Sequence, residues 1–138
     1  MTVKAATPYL ILNGKADEAI EFYRTALGAT TEALMRFGDV DGSCPVATRQ
    51  RVMHCALRVG GALLMLSDGP GEGALPPTGI VSVALDFDEP AELRRMFEAL
   101  SASGKVIENV LQAPWGLFAA LHDRFGVSWM FNCNNSPS

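Results

Sequence analysis

Apolar and polar side chains repeat with two different periods along this chain, and the change of period marks its elements. Residues 16–27 place apolar side chains at helical spacing, with acidic residues in the first turns and Gly28 directly after the last one. This pattern predicts an amphipathic helix within residues 14–29. The apolar run at residues 9–12 precedes it across a short polar turn and predicts a strand that leads into the helix.

Three further strands are predicted after this helix. Residues 30–37 alternate loosely, and residues 51–59 and 62–67 form two apolar stretches separated by a glycine pair, which favours a hairpin. Residues 38–50 contain glycine, proline and aspartate and are interpreted as a loop. Residues 68–79 carry four glycines and three prolines and are interpreted as a surface linker. The first half therefore has the order β-α-β-β-β.

The second half repeats this order. Residues 80–87 predict a strand, residues 89–103 a helix and residues 105–112 a strand, followed by a hairpin from residues 117–121 and 127–133. The halves can be superimposed in sequence. An offset of 73 residues pairs Leu27 with Leu100, Ile20 with Leu93 and Leu12 with Leu85, and an offset of 65 pairs Met65 with Met130.

This internal repeat predicts an α+β protein made of two βαβββ modules. The modules cover residues 7–68 and 80–133, and we expect residues 1–138 to form a single domain that contains both. Hydrophobic residues make up 49% and charged residues 19% of the chain, which is typical of a globular protein.

Composition excludes several classes of partner. The longest apolar run, residues 62–66, is too short to span a membrane, and residues 1–8 lack the apolar core of a signal peptide. We therefore expect a cytoplasmic protein with no membrane partner. The net charge is −4 and there is no basic run, which argues against nucleic acid as a partner.

The cysteines indicate neither a disulfide framework nor a zinc ribbon. Cys44, Cys55 and Cys133 are odd in number and contain no CxxC pair. Cys55 lies in a predicted strand, so a buried small hydrophobic side chain is favoured over a nucleophile.

Residues spread along the chain resemble one known superfamily. Paired βαβββ modules are similar to the vicinal-oxygen-chelate superfamily of glyoxalase I, extradiol dioxygenases, fosfomycin-resistance proteins and bleomycin-binding proteins. Within it the chain resembles the PhnB-like group, except in residues 37–50 and the tail. The resembling segments are Pro8-Tyr9-Leu10 with Gly14, Glu18-Ala19-Ile20-Glu21-Phe22-Tyr23, Leu27-Gly28-Ala29, His54-Cys55-Ala56-Leu57, Leu64-Met65-Leu66-Ser67-Asp68, Trp115-Gly116 and Asp123-Arg124-Phe125-Gly126-Val127-Ser128-Trp129.

The resemblance implies a cupped mixed sheet with the helices packed outside, a small molecule or metal inside the cup, and homodimers. Some PhnB-like proteins carry a demethylubiquinone methyltransferase label. Nothing in this sequence resembles the glycine-rich loop that binds S-adenosylmethionine, so we do not expect that activity.

Metal-dependent members of the superfamily place His, Gln or Glu ligands on the first and last strands of each module. The matching positions here hold Pro8, Met65, Val81 and Met130. Mg²⁺, Mn²⁺ and Fe²⁺ need oxygen or nitrogen donors, and a thioether suits only soft metals. A one-residue slip, to Tyr9, Leu66, Ser82 and Phe131, improves nothing. We therefore predict that the usual metal site is absent, with no cofactor.

His54 is the candidate catalytic residue, because histidine titrates near neutral pH and PhnB-like chains resemble this one there. It would act as a base or ligand in the cup, with Asp68 as a candidate partner. The alternative is a half-buried strand histidine that hydrogen-bonds to backbone. His122 begins a hairpin turn with Asp123, whose carboxylate is expected to satisfy turn amides.

The expected ligand pocket contains Tyr9, His54, Met65, Trp115, Met130 and Arg36. Methionine adapts to varied apolar ligands, Trp115 would stack on a ring, and Arg36 would hold an anionic group. For Trp129, on an alternating strand, a place in the core is favoured.

Two functions remain open at this stage. The favoured one is a homodimeric protein that binds a small apolar or aromatic ligand without a metal. The alternative is a lyase- or dioxygenase-type enzyme that uses His54 with a non-standard metal site.

Overall fold

The computed structural model describes residues 5–69, 81–113 and 116–134, and the chain divides into two compact units, Met1–Leu75 and Pro76–Ser138. Each unit contains one sheet of four strands.

The first unit follows the predicted order. Its elements are β1 (Tyr9–Ile11), α1 (Ala16–Leu27), β2 (Thr30–Arg36), α2 (Phe37–Val40), α3 (Val46–Arg49), β3 (Val52–Val59) and β4 (Ala62–Ser67). The strand order is β1-β4-β3-β2, with β1 parallel to β4 and the other pairs antiparallel. The sheet is open, with β1 and β2 at its edges.

The second unit repeats this topology. Its elements are β5 (Val83–Phe87), α4 (Pro90–Ser101), β6 (Lys105–Ala113), β7 (Gly116–His122) and β8 (Ser128–Cys133). The strand order is β5-β8-β7-β6, with β5 parallel to β8. The predicted α+β fold of two βαβββ modules is thus confirmed. The expectation that both modules belong to one domain stays a prediction.

Helix α1 buries a narrow stripe of side chains against β3. Ala19, Tyr23 and Ala26 are almost fully buried, and they recur every three or four residues as an amphipathic helix requires. The helix ends where Gly28 adopts a left-handed conformation (φ 68°) and its N–H donates to the Tyr23 carbonyl. The sequence predicted this cap because a residue without Cβ adopts that conformation at little cost.

Aromatic rings fill the core of the second unit. The Phe131 ring stacks on Phe87 with 5.3 Å between centroids and meets Phe97 edge-on at 5.8 Å. Trp129 is fully buried, and its Nε1–H donates to Asp123 Oδ2 at 2.9 Å. The expectation that Trp129 belongs to the core is therefore correct.

Two details differ from the sequence analysis. The predicted loop at residues 38–50 contains parts of the short helices α2 and α3. The offset between the two repeats also differs from the one predicted by aligning the halves of the sequence. Leu10 lies opposite Leu66 as Leu85 lies opposite Phe131, so β1 and β5 match at 75 residues rather than 73. The buried positions Ala19, Tyr23 and Ala26 match Leu93, Phe97 and Leu100 at 74.

Most of the predicted linker falls within residues 70–80, which lie outside the described residues. No helix in the described ranges is both long and apolar enough to cross a membrane.

Candidate functional site

Burial near His54 differs between the two faces of the first sheet. Cys55 and Leu57 on β3 are fully buried on the face that carries α1, and Leu66 lies beside Cys55 on β4. Because side chains alternate along a strand, His54 points to the opposite face. We name this the open face of the first sheet. Its members around His54 are Tyr9, Ile11, Met35 and Met65.

Tyr9 and His54 are joined on this open face. The Tyr9 hydroxyl lies 3.0 Å from Nδ1 of His54, and the two rings are tilted by 39° with centroids 5.8 Å apart. In a neutral imidazole one ring nitrogen donates and the other accepts. A hydroxyl both donates and accepts, so it can pair with Nδ1 in either tautomer, and Nε2 is the ring nitrogen left for a ligand. His54 was predicted as a site residue, but its bond to Tyr9 was not.

Apolar side chains surround this polar pair. Met65 lies directly opposite Tyr9 on β4, and Met35 lies directly opposite His54 on β2. Tyr9 is 46%, Ile11 45% and Met35 41% exposed. Ile11 was missed in the sequence analysis, although its spacing of two residues from Tyr9 already placed it on the same face.

Asp68 does not partner His54. One carboxylate oxygen accepts from the amides of Gly14 (2.7 Å) and Ala16 (2.9 Å), and the other accepts from the amide of Val52 (2.9 Å). Asp68 is only 4% exposed. It therefore caps α1 and holds β3, and the suggested His54–Asp68 pair is wrong because the carboxylate is committed to backbone donors.

Arg36 is also engaged within the protein. Its guanidinium donates to both oxygens of Asp17 at 2.8 and 2.9 Å and to the Gln50 carbonyl at 2.6 Å. Hydrogen bonds from Arg36 lower the pKa of the Asp17 carboxyl, against a smaller opposing effect of burial. An anionic ligand would have to displace Asp17, so we do not carry Arg36 into the proposed site.

The remaining predicted pocket residues do not join this cluster. Met130 belongs to the second unit, where it lies opposite Ala84 and Ala120 on the face away from buried Trp129. Trp115 lies outside the described residues. Three of the predicted pocket residues thus lie together in the first unit: Tyr9, His54 and Met65.

The residues at the metal positions do not fit a hard divalent cation. In the first unit Tyr9, rather than Pro8, lies opposite Met65, and in the second unit Ala84, rather than Val81, lies opposite Met130. Thioethers and a methyl group are not ligands for Mg²⁺, Mn²⁺ or Fe²⁺. Within the described ranges, no group of three or more His, Cys, Asp or Glu side chains is placed to hold a metal ion. The predicted lack of a cofactor stays a prediction, and we derive no step through a metal.

Comparison with known proteins identifies the family. The model of the family described as 3-demethylubiquinone-9 3-methyltransferase matches residues 4–131. The chain belongs to this family. A relative within reach of ordinary sequence comparison is Protein YjdN of Escherichia coli (strain K12), which is 31% identical over 137 residues, covering 91% of this chain and 92% of its own.

Solved structures agree with this family assignment. Protein PA1353 from Pseudomonas aeruginosa is 39% identical, with a TM-score of 0.79 over 96% of this chain and 98% of its own. A putative 3-demethylubiquinone-9 3-methyltransferase, PhnB protein, from Bacillus cereus is 23% identical, with a TM-score of 0.78 over 94% and 99%.

The same fold extends to the wider superfamily. A glyoxylase/bleomycin resistance protein/dioxygenase domain from Frankia sp. EAN1pec is 14% identical, with a TM-score of 0.68 over 98% of both chains. The chain therefore has the fold that its sequence resemblance to the vicinal-oxygen-chelate superfamily implied.

Proposed function

We propose that this PhnB-like protein binds a small apolar or aromatic molecule on the open face of the first sheet, without the divalent metal of its superfamily. The observation that carries the proposal is the Tyr9–His54 hydrogen bond of 3.0 Å, set among exposed apolar side chains. Small-molecule sites combine an apolar lining with a few polar groups that orient the ligand, and this cluster has both.

The apolar side chains supply the driving force. Ile11 and Met35 are each more than two-fifths exposed, so a ligand that covers them gains about 25 cal/mol for each Å² of apolar surface removed from water. The thioethers of Met35 and Met65 adapt to ligand shape and favour contact with aromatic rings.

The polar pair supplies orientation. With Nδ1 held by Tyr9, the Nε2 atom of His54 is the ring nitrogen left to donate to or accept from one polar atom of the ligand. The preferred ligand is therefore a ring or apolar body that carries one hydroxyl or carbonyl group. The methyltransferase activity in the family description is not proposed, because no residues resemble a loop for S-adenosylmethionine.

We also infer that the protein is a homodimer. The edge strand β2 is exposed along its length, and Leu34 and Met35 on it are each more than 40% exposed. Such edges are normally protected, and a second copy would do so. Sedimentation equilibrium at several protein concentrations tests this directly. A cytoplasmic location remains an expectation from composition.

The first measurement is elemental analysis of protein purified without a chelator or a histidine tag, and we expect no near-stoichiometric metal. The second is a screen of aromatic and apolar compounds for a rise in Tm, followed by calorimetry. His54→Ala is expected to weaken binding of a hit that carries a hydroxyl or carbonyl group. His122→Ala serves as the matched control, because His122 lies in the second unit.

Two outcomes would overturn the proposal. Metal that is bound and then lost in His54→Ala would favour the enzyme alternative, in which His54 is a ligand. Equal binding by wild type and both histidine variants would show that the cluster around His54 does not recognise the ligand.

A further inference from the structure

The repeat allows the two units to be compared position by position. The strand ladders align Arg58 on β3 with His122 on β7, because each lies two residues beyond an alanine that faces a methionine. The pairs that fix this alignment are Ala56 with Met65 and Ala120 with Met130. On the edge strands, Thr30 faces Arg58 as Lys105 faces His122.

The first unit neutralises the cation at this position. Arg58 Nε donates to one oxygen of Glu32 at 3.0 Å, and Nη2 donates to the other at 3.1 Å. Glu32 is the residue left out of the ladder by an irregularity between Thr31 and Ala33. The resulting pair is bidentate, which is the strongest geometry for a guanidinium and a carboxylate.

The second unit has the same irregularity but not the carboxylate. The ladder of β6 skips from Val106 to Glu108, which places Ile107 at the position of Glu32. Ile107 is 50% exposed. A large apolar side chain therefore stands, accessible to water, where the first unit carries the balancing acid.

Polar groups form a row across the second sheet at this level. The Ser82 and Ser128 hydroxyls lie 2.5 Å apart, Ser128 faces His122, and His122 faces Lys105. Ser128 precedes buried Trp129, so the row lies on the face away from the core. Neighbouring strands lie about 5 Å apart, so one small ligand can contact Ser128 and His122 directly. Lys105, on the next strand, reaches the same ligand through its long side chain.

Lys105 is the cation of this row, and Glu108 is the acid that lies closest to it along β6. No ion pair among the described residues includes His122 or Lys105. Glu108 faces Ala120, one row away. In the adjoining turn, Asp123 accepts from backbone amides and from the Trp129 indole, while Arg124 donates to the Ala102 carbonyl.

We propose that Ser82, Ser128, His122 and Lys105 form an oxyanion-binding site on the second unit, separate from the ligand site of the first. When one serine hydroxyl donates to the other, the second O–H remains available to the ligand. His122 and Lys105 add N–H donors, and a cationic donor strengthens each bond to an anion. The ligand is a carboxylate or phosphate group, whose oxygens accept from the Ser128 hydroxyl, from His122 and from Lys105, while Ser82 donates to Ser128.

The test uses the ring protons of His122 in NMR spectra of the full-length protein. The chain has two histidines, so His54→Asn assigns the signals. Sodium phosphate is titrated at pH 7 against sodium chloride of equal ionic strength, and sodium acetate is titrated in parallel. We expect a saturable shift of the His122 signals with phosphate that sodium chloride does not produce.

The decisive variant is Ile107→Glu, which restores the acid found in the first unit. It should weaken anion binding about tenfold, because the new carboxylate competes for the same donors and repels the anion. Glutamine has the shape of glutamate without its charge, so the Ile107→Gln variant should bind the anion as tightly as wild type does. Lys105→Met should weaken binding about threefold or more, whereas Lys15→Met should not change it.

The ligands and variants separate the outcomes. A response to phosphate alone identifies a phosphate site, and a response to acetate as well identifies a general carboxylate or phosphate site. A His122 shift that is no larger than in chloride, or that is equal in Ile107→Glu and Ile107→Gln, would overturn the proposal.

Discussion

The Tyr9 hydroxyl reaches Nδ1 of His54 across an intervening strand. Tyr9 lies on β1 and His54 on β3, and β4 separates these strands in the sheet. Two inter-strand spacings amount to about 10 Å between backbones, which the length of the tyrosine side chain makes possible. The bond therefore depends on the registers of both β1 and β3 against β4, and it links the edge of the sheet to its centre.

Tyr9→Phe should release the His54 ring while leaving the fold intact. The ring remains and water can replace the exposed hydroxyl, so the free energy of unfolding should fall by less than about 1 kcal/mol. The environment of Nδ1 should change, because this nitrogen loses its hydrogen-bond partner. Nitrogen-15 chemical shifts of the two ring nitrogens measure this change, and His122 provides an internal control. Unchanged nitrogen-15 shifts at His54 would contradict the hydrogen bond from its ring to Tyr9.

Asp68→Ala should destabilise the first unit strongly. The variant removes the acceptor for the amides of Gly14, Ala16 and Val52 in a buried place, and we expect a loss of about 3 kcal/mol. Urea unfolding at constant m-value measures it. Asp86→Ala, at an exposed strand position, is the control and should change stability by about 0.5 kcal/mol or less. Equal midpoints for the two variants would contradict the capping role.

The Asp17–Arg36 pair should give a small acid-dependent contribution to stability. Hydrogen bonding to Arg36 lowers the pKa of Asp17 in the folded state below its ordinary value of 3.8. The contribution is therefore complete above pH 3.8 and is lost as the pH falls through the folded-state pKa. The Asp17 side chain is 60% exposed, so the expected size is at most about 0.5 kcal/mol.

Arg36→Met tests this pair. The NMR-measured pKa of Asp17 should rise, and the stability difference from wild type should shrink in acid. The bond from Arg36 to the Gln50 carbonyl does not titrate, so part of the difference should persist. Arg95→Met removes another exposed pair, with Glu92, and should leave Asp17 unchanged. An unchanged Asp17 pKa in Arg36→Met would refute the assignment.

The thiols should separate clearly by reactivity. Burial, with a smaller contribution from the charge of Asp17, raises the pKa of Cys55 to about 11, and Cys133 is fully buried. Cys44 is partly exposed. At pH 8 a thiol reagent should label Cys44 in the native protein and all three cysteines after denaturation. Cys44→Ser should abolish the native reaction, and rapid labelling of Cys55 would contradict the buried strand position.

The Cys55 thiol should also make the folded protein less stable at alkaline pH. A folded-state pKa of about 11 against an ordinary 9.0 means that the unfolded chain releases its proton first. The contribution of Cys55 is present below pH 9 and is lost as the pH rises towards 11. Cys55→Ala should therefore flatten the alkaline limb of the stability profile.

Local hydropathy patterns were sufficient to predict the helices and strands, but they did not fix the register of the strands. The helix stripe of α1 and the alternation on β3 are properties of neighbouring residues, so the sequence predicted both. The first strands of the repeat were aligned two residues away from their true match. Side chains on a strand alternate with a period of two, so that slip leaves every apolar residue on its correct face, and hydropathy does not detect it.

The sequence was sufficient to name residues of the candidate site, but not to predict their hydrogen-bond partners. His54 and Tyr9 were both singled out, but 45 residues separate them in the chain. Asp68 was named as a candidate partner of His54. The structure commits its carboxylate to three backbone amides, two of which lie more than 50 residues earlier. Such partners follow from strand order, which sequence periodicity does not contain.

Hydrogen bonds hold the two ends of residues 37–51 together, which is useful for protein engineering. The Phe37 amide donates to the Arg51 carbonyl at 3.1 Å, Arg36 holds the Gln50 carbonyl, and Asp68 holds the Val52 amide. Both ends of the segment are thus fixed by bonds at its terminal residues and in the flanking strands. Because doubling the length of a closed loop costs only about 0.6 kcal/mol, this segment is a suitable place to graft foreign peptides without disturbing the sheet.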